Sequence, residues 1–282
     1  MTHGFEIRPL DVGYGAEVVA DLSAPLPPEQ QALLYRLFNE HGLVVFRKQA
    51  LSHHQQIRVH SYLRRGRFLE RDPEVVSNVG TGGQVGTAAL PFHSDSAFLP
   101  EPIAAISLHA VDVVDGETST RFSSGKDVYR RLPESLKARL EGLHTLHVMP
   151  KEVSGRNRAR ELPAHYPRTT RLLVHRHGIT GGPVLYVSWV MIDGIIELPE
   201  AQSDALLEEL HSHVSDPGHV YEHRWRNGDL VIWDNVALLH ARDDTSKAGR
   251  RVLQRVSTGA YHFSDIYPEF PAYKLNLAYR DR

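Results

Sequence analysis

The 282-residue sequence predicts a mixed α/β protein with a mainly β core, a barrel or sandwich carrying helices against it. Three observations carry this reading. The second half of the chain is mostly short apolar segments of strand length separated by polar turns. Helical spacing of apolar residues is confined to a few segments. The alternating β and α units of a dinucleotide-binding fold are missing, as is any phosphate-cradling glycine loop.

Composition narrows the class further. The hydrophobic fraction of 41% with 21 glycines is that of an ordinary soluble globular protein. A formal net charge of −2 argues against nucleic acid or an anionic membrane as main partner. With no cysteine there is no disulfide framework, thiolate metal site or cysteine nucleophile, so any metal must be held by nitrogen and oxygen. The N-terminus lacks an apolar run of signal-peptide length, and no stretch approaches a membrane span, which makes the cytoplasm the default location. Histidine is unusually frequent, at 18 residues.

Taken in order, residues 5–22 read as short strands broken by glycines, and Pro27-Pro28 opens an amphipathic helix carrying Leu33, Leu34, Leu37 and Phe38. His41-Gly42 closes it before a buried strand at 43–47. A second helix starts around Ser52, and the glycine-rich segment 74–91 reads as a lid or pocket wall. A strand is expected over 103–114, a helix pair over 126–141, and an insertion with weak strand signals over 146–182. A strand at 185–190 precedes a capped helix near 199–214, and strands follow at VYEHRW, DLVIWD, VALLHA and VLQRVSTGA.

Chemistry concentrates at two places. In PFHSDSAF, His93 and Asp95 would share one face of a strand, since residues i and i+2 point the same way. About one such His-x-Asp pair is expected by chance in this composition, so alone it is weak. Far downstream, Gly228-Asp229 turns into an apolar strand, Trp233-Asp234-Asn235 follows, and His240 ends VALLH. Arg251 and Arg255 come eleven and fifteen residues after His240, on one face of the returning strand.

Together these features, with the opening GAEVVADLSAPL, the LVVFR strand, the GETST turn and the WDN…H…R…R ending, resemble the Fe(II)- and 2-oxoglutarate-dependent dioxygenases of the taurine/phenoxyacetate dioxygenase family over nearly the whole chain. The resemblance implies a double-stranded β-helix, or jelly roll, with flanking helices. It implies a metal triad of His93, Asp95 and His240, which is also the catalytic set, and a 2-oxoglutarate site of Thr120, Arg251 and Arg255. The cofactors implied are Fe(II), 2-oxoglutarate as cosubstrate and O₂. On this basis 1–282 is a single dioxygenase domain, with N-terminal helix and strand elements in 1–73, the lid-like loop at 74–91, and a jelly-roll core at about 92–265 containing the insertion at about 146–182.

The chemistry supports such a set. Two imidazoles and a carboxylate are the ligands of non-haem Fe(II) oxygenases and leave three positions for a 2-oxo acid and O₂. A distal carboxylate needs a fixed cation, which an arginine fork supplies bidentately. The sequence departs from taurine-type members in having Ala89 four residues before His93, where they place Asn, and no upstream substrate-binding His in FLERDPEVV, which argues against taurine. Arg250 is the alternative carboxylate anchor, and Thr118 the alternative to Thr120.

Other features have plainer readings. Lys126, Arg156, Arg158 and Arg160 read as solvated surface, and His144, His147, His175 and His177 as surface or supporting residues. Trp189 and Trp233 read as core aromatics, and Asp229 and Asn235 as turn-fixing residues. The expected function is oxidation, foremost hydroxylation, of an unactivated C–H bond of a small organic molecule, a carboxylated natural product or a xenobiotic, with release of succinate and CO₂. Desaturation, cyclisation and epimerisation are alternative outcomes on the same scaffold. Halogenation is disfavoured because Asp95 takes the position a halide needs. The rivals are a catalytically idle jelly-roll protein that binds or senses a ligand, and a jelly-roll enzyme using another metal. The expected partner is a small molecule, with no nucleic acid and no membrane; a homo-oligomer is compatible.

Overall fold

A computed structural model describes residues 5–64, 66–69, 74–79, 87–151 and 155–270. Strands β1 (Glu6–Pro9) and β2 (Ala16–Val19) lead into helix α1 (Pro28–His41), β3 (Leu43–Phe46) and α2 (His53–Leu63). Then come β4 (Arg67–Phe68), β5 (Glu74–Ser77), β6 (Leu90–His93), β7 (Ala105–Val113) and β8 (Ser119–Ser124), with helices α3 (Gly125–Arg131) and α4 (Glu134–Leu140) after them. Five short strands follow: β9 (His144–Val148), β10 (Arg168–Leu172), β11 (Val174–Arg176), β12 (Pro183–Leu185) and β13 (Ile192–Ile195). After α5 (Glu200–Val214) the described chain runs through β14 (Tyr221–Arg224), β15 (Leu230–Asp234), β16 (Leu238–Arg242), β17 (Arg251–Gly259) and α6 (Phe263–Ile266). None of the described helices is long and apolar enough to cross a membrane.

Two sheets form the centre. The larger has eight strands in the order β1-β2-β3-β15-β7-β17-β4, with β5 also on β17; the smaller has the order β14-β8-β16-β6. Alternation along β15 shows how they pack. Val231 and Trp233 join Leu43, Leu108, Leu253, Phe122, Trp225 and Leu238 in the core between the sheets. Leu230 and Ile232, pointing the other way, meet Leu34, Phe38, Val59 and Leu63 of α1 and α2. The outer face of the smaller sheet, with Leu239 and Ala241, is covered by α3, α4 and α5 through Val128, Leu136, Leu206 and Leu210. Both faces of β15 are therefore buried, which explains its unbroken apolar run. Trp233 is fully enclosed, so Trp233→Ala would cost about 3–5 kcal/mol.

Local signals explain the boundaries. α1 starts after Pro27 and stops at Gly42, whose φ of 72° places it in the left-handed region. A Cβ at Gly42 would lie 2.6 Å from Leu238 Cδ1, so the stop also admits the core close to the backbone. α2 begins in a capping box in which Ser52 Oγ accepts from Gln55 N and Gln55 Oε1 accepts from Ser52 N. α5 departs from expectation, because Pro199 precedes it without any side-chain cap. The expected strand at 185–190 is also cut short: β12 ends at Leu185, and the backbone then turns so that Trp189 N reaches Phe92 O. The insertion is more ordered than its composition suggests, since β10, β9 and β13 pair as a three-stranded sheet. The glycines Gly80, Gly82, Gly83 and Gly86 of the expected lid lie outside the described residues.

Candidate active site

His93 ends β6 and faces His240 of β16 directly in register, with ring centroids 4.2 Å apart. Asp95 does not share a strand with His93, as the i, i+2 spacing suggested. It lies in a turn just past β6, where Ser96 adopts a φ of 56°. Asn235 holds that turn: its Oδ1 accepts from Asp95 N at 3.0 Å, and its Nδ2 donates to Asp95 O at 3.1 Å and to Ile103 O at 2.9 Å. Ser94 Oγ donates to Asn235 O, and Tyr186 OH donates to Ser94 Oγ at 2.9 Å. The carboxylate arrives at the site through this clamp rather than through strand alternation.

The result is that His93 Nε2 and His240 Nε2 lie 3.3 and 3.5 Å from the same oxygen, Asp95 Oδ1. One ligand-type atom from each of the three residues falls within a 4.8 Å span. His93 Nδ1 is 2.8 Å from Pro91 O, which calls for its N–H there and leaves the Nε2 lone pair for a metal. Burial alone would raise the Asp95 pKa, yet its close contacts with His240 and His93 and the charge of Arg255 bring it well below the ordinary carboxylate value. Burial, reinforced by His93, pushes His240 down to about 4 despite Asp95. The site thus presents two imidazoles and one carboxylate, a donor set that suits a divalent iron-type metal.

A second polar feature extends from the triad along β17. Arg251 is 2% exposed, and its Nε and Nη1 have no hydrogen-bond partner among the described residues. Its Nη2 makes only a long contact, 3.5 Å, to Thr120 Oγ1. Burial and the nearby Arg242 push its pKa down to about 9, still cationic at neutral pH. A buried guanidinium without a carboxylate is costly by itself, and the group that would compensate it is an anion with paired oxygens. A dicarboxylate such as 2-oxoglutarate carries such an anion. Arg250, the alternative anchor, points outward and pairs with Asp112 at the surface.

Arg255 is placed differently from Arg251. Its Nη2 is 3.1 Å from Asp95 Oδ2 and its Nη1 is 2.5 Å from Glu74 Oε2, a residue directly opposite it on β5. Glu74 escaped the sequence reading, since only the β5–β17 register brings it to the site. Trp225, whose Nε1 donates to Thr120 Oγ1 at 3.0 Å, was missed for the same reason.

The remaining expectations divide. Asp229 is fully buried, pairing with Arg47 at 2.6 Å and accepting from Arg226 N, so it does fix its turn. Asp234 caps Val236 N and Ala237 N and pairs with Arg64 and with His177 Nε2. His144 is at the surface with Glu197, whereas His147 is completely buried. Arg156 and Arg158 are not loose solvated charges but are pinned to Asp204 at 2.8 and 2.7 Å. Lys126 is half-buried, which lowers its pKa.

Comparison with known proteins converges on the same class. The taurine catabolism dioxygenase TauD, TfdA family matches residues 6–257. An (S)-phenoxypropionate/alpha-ketoglutarate-dioxygenase of Sphingobium herbicidovorans is 30% identical, over 90% of this chain and 94% of its own. An alpha-ketoglutarate-dependent 2,4-dichlorophenoxyacetate dioxygenase of Cupriavidus pinatubonensis is 31% identical, over 84% and 91%. The crystal structure of a taurine dioxygenase from Burkholderia xenovorans superposes with a TM-score of 0.76 at 25% identity, over 91% of each chain.

Proposed function

The chain belongs to the TauD, TfdA family and is a non-haem Fe(II)- and 2-oxoglutarate-dependent dioxygenase; from that premise we propose that His93, Asp95 and His240 hold the iron and that Arg251 and Thr120 hold the far carboxylate of 2-oxoglutarate. The observation that carries the assignment is the meeting of three ligand atoms within 4.8 Å beside a buried arginine with two unpartnered nitrogens. The two packed sheets are read as a double-stranded β-helix, and 1–282 as one dioxygenase domain. The chemistry that iron, 2-oxoglutarate and O₂ supply at such a site is oxidation of an unactivated C–H bond with release of succinate and CO₂.

The protein's own groups do the rest. Asn235 holds the Asp95 backbone and the Pro91 carbonyl holds the His93 ring before any metal arrives, which limits the ordering cost of binding. The apolar wall of Phe122 and Trp233 against His240 keeps water away from a reactive centre. Arg255 holds the second oxygen of Asp95 and presents a cation next to it. The relatives named for phenoxypropionate and 2,4-dichlorophenoxyacetate act on aryloxy acids, and we read the substrate here as a small, largely apolar carboxylic acid, larger than taurine. The test is a panel of such acids incubated with the protein, Fe(II), 2-oxoglutarate and O₂. Substrate-dependent succinate, with a product 16 mass units heavier, is expected. Absence of succinate release over the whole panel, from metal-loaded and folded protein, would overturn the substrate class.

A further inference from the structure

We infer that Trp225 is a positioning residue for the cosubstrate: its indole N–H fixes the Thr120 hydroxyl so that the hydroxyl proton points toward the anion held by Arg251. This rests on the reading of Arg251 and Thr120 as the carboxylate site.

The hydrogen-bonding capacity of one hydroxyl sets the constraint. A threonine oxygen has one proton to give and two lone pairs to receive with, and its proton rotates freely unless neighbours fix it. Indole Nε1–H can only donate, and so can a guanidinium. Thr120 Oγ1 sits between one of each, with Trp225 Nε1 at 3.0 Å and Arg251 Nη2 at 3.5 Å. The hydroxyl proton can point at neither. No residue among those described accepts a hydrogen bond from Thr120 Oγ1, although the side chain is buried. Its proton is therefore left to an acceptor supplied by a ligand, on the side where Arg251 Nε and Nη1 also lack partners.

The indole is well anchored for this task. Tyr221, His223 and Trp225 alternate onto one face of β14 and its continuation, and His223 lies opposite Thr120 in the β14–β8 register. Trp225 has no exposed surface. Its backbone N donates to Thr118 O at 3.0 Å and its carbonyl accepts from Gly116 N at 2.8 Å. Its ring meets the His223 imidazole edge-on, with centroids 4.5 Å apart, and His223 in turn lies 3.2 Å from Asp229 Oδ2. An immobile donor behind a hydroxyl orders that hydroxyl before ligand arrives, which strengthens the hydrogen bond it then gives.

The experiment is an anaerobic titration of 2-oxoglutarate into the Fe(II)-loaded protein, read by its visible absorption band, for Trp225→Phe, Thr120→Val, the double variant and Arg251→Met. Trp225→Phe should weaken 2-oxoglutarate about three- to tenfold, the range for one neutral hydrogen bond, with Fe(II) affinity unchanged. The double variant should bind no worse than Thr120→Val alone, because without the hydroxyl the indole N–H has nothing to orient. Unchanged binding in Trp225→Phe, or losses that multiply in the double variant, would overturn the proposal. If Arg251→Met also binds normally, it is the carboxylate site itself that is misplaced. Should phenylalanine leave a gap that unfolds the protein, β-(3-benzothienyl)alanine at 225 replaces N–H by sulfur in a ring of the same shape and asks the same question.

Discussion

Arg255 and Glu74 stand opposite each other on neighbouring strands with Nη1 and Oε2 2.5 Å apart, while the other arm of the same guanidinium reaches Asp95. The cation beside Asp95 is thus already balanced by a second carboxylate of the protein. Its attraction for a substrate anion is correspondingly reduced, and Glu74 becomes a control on it.

Glu74→Gln should therefore favour anionic substrates. Removing one negative charge within a few ångströms of Arg255 is worth about 1 kcal/mol at a partly exposed site, a fivefold fall in KM. An active carboxylic acid and its methyl ester, compared in both proteins, provide the measurement. The acid should gain and the ester should not. Arg255→Gln should reverse the preference, and equal losses for acid and ester in that variant would show that Arg255 serves the cosubstrate alone.

His93→Ala, Asp95→Ala and His240→Ala should each abolish Fe(II) binding and turnover while the protein stays folded. The three side chains contribute to the site rather than to the packed core between the sheets. Equilibrium Fe(II) binding and circular dichroism check the two halves of the statement. A variant that binds Fe(II) and turns over like the wild type would remove that residue from the ligand set.

Arg251→Met should weaken 2-oxoglutarate by about 1.5–3 kcal/mol or more, the range for a lost charged hydrogen bond. In the ligand-free protein the same change should raise the melting temperature, since it removes a buried charge whose guanidinium makes, among the described residues, only one long contact. Wild type should gain thermal stability when 2-oxoglutarate binds, and the variant should lose most of that gain. A fall in the ligand-free melting temperature would mean that the guanidinium is satisfied without the cosubstrate.

Much of this architecture was legible in the residues because local physics set it. The αL stop at Gly42, the capping box at Ser52 and the two-sided burial of β15 all leave marks within a few positions. The triad and Arg251 were legible only as a joint pattern of types and spacings. Asp95 illustrates the limit. Its proximity to His93 was expected from strand alternation, but a left-handed Ser96 and the amide of Asn235, 140 residues away, produce it. Glu74 and Trp225 could not be found in this way. Each reaches the site through strand register, a property of the folded sheet that no local sequence signal encodes. The early end of β12 has the same origin, since Trp189 exchanges strand pairing for a bond to Phe92 O, next to His93.

His147 is wholly enclosed on β9 with neither ring nitrogen hydrogen-bonded among the described residues. Its ring lies 5.6 Å from that of Tyr186, and the charges facing it are Arg171 of β10 and His175 of β11. Burial, then Arg171 and His175, push its pKa down to about 3. The folded protein keeps this imidazole neutral through mildly acid pH, whereas the unfolded chain takes up a proton as pH falls through about 6.5. Below that value the unfolded state binds more protons, so stability falls as pH falls, by about 1.4 kcal/mol per unit until the folded pKa is reached. By pH 7.5 the group contributes little to this slope. His147→Leu, which fills nearly the same volume and breaks no hydrogen bond, should match or exceed the wild type at pH 7.5. At pH 5 it should be more stable by about 2 kcal/mol. His60, also buried, and the half-buried His175, lowered to about 3 and about 4, keep part of the acid slope in the variant. Urea unfolding of the metal-free protein at both pH values gives the comparison. Parallel losses in wild type and variant between pH 7.5 and 5 would show that His147 is already protonated, or hydrogen-bonded through water, in the folded state.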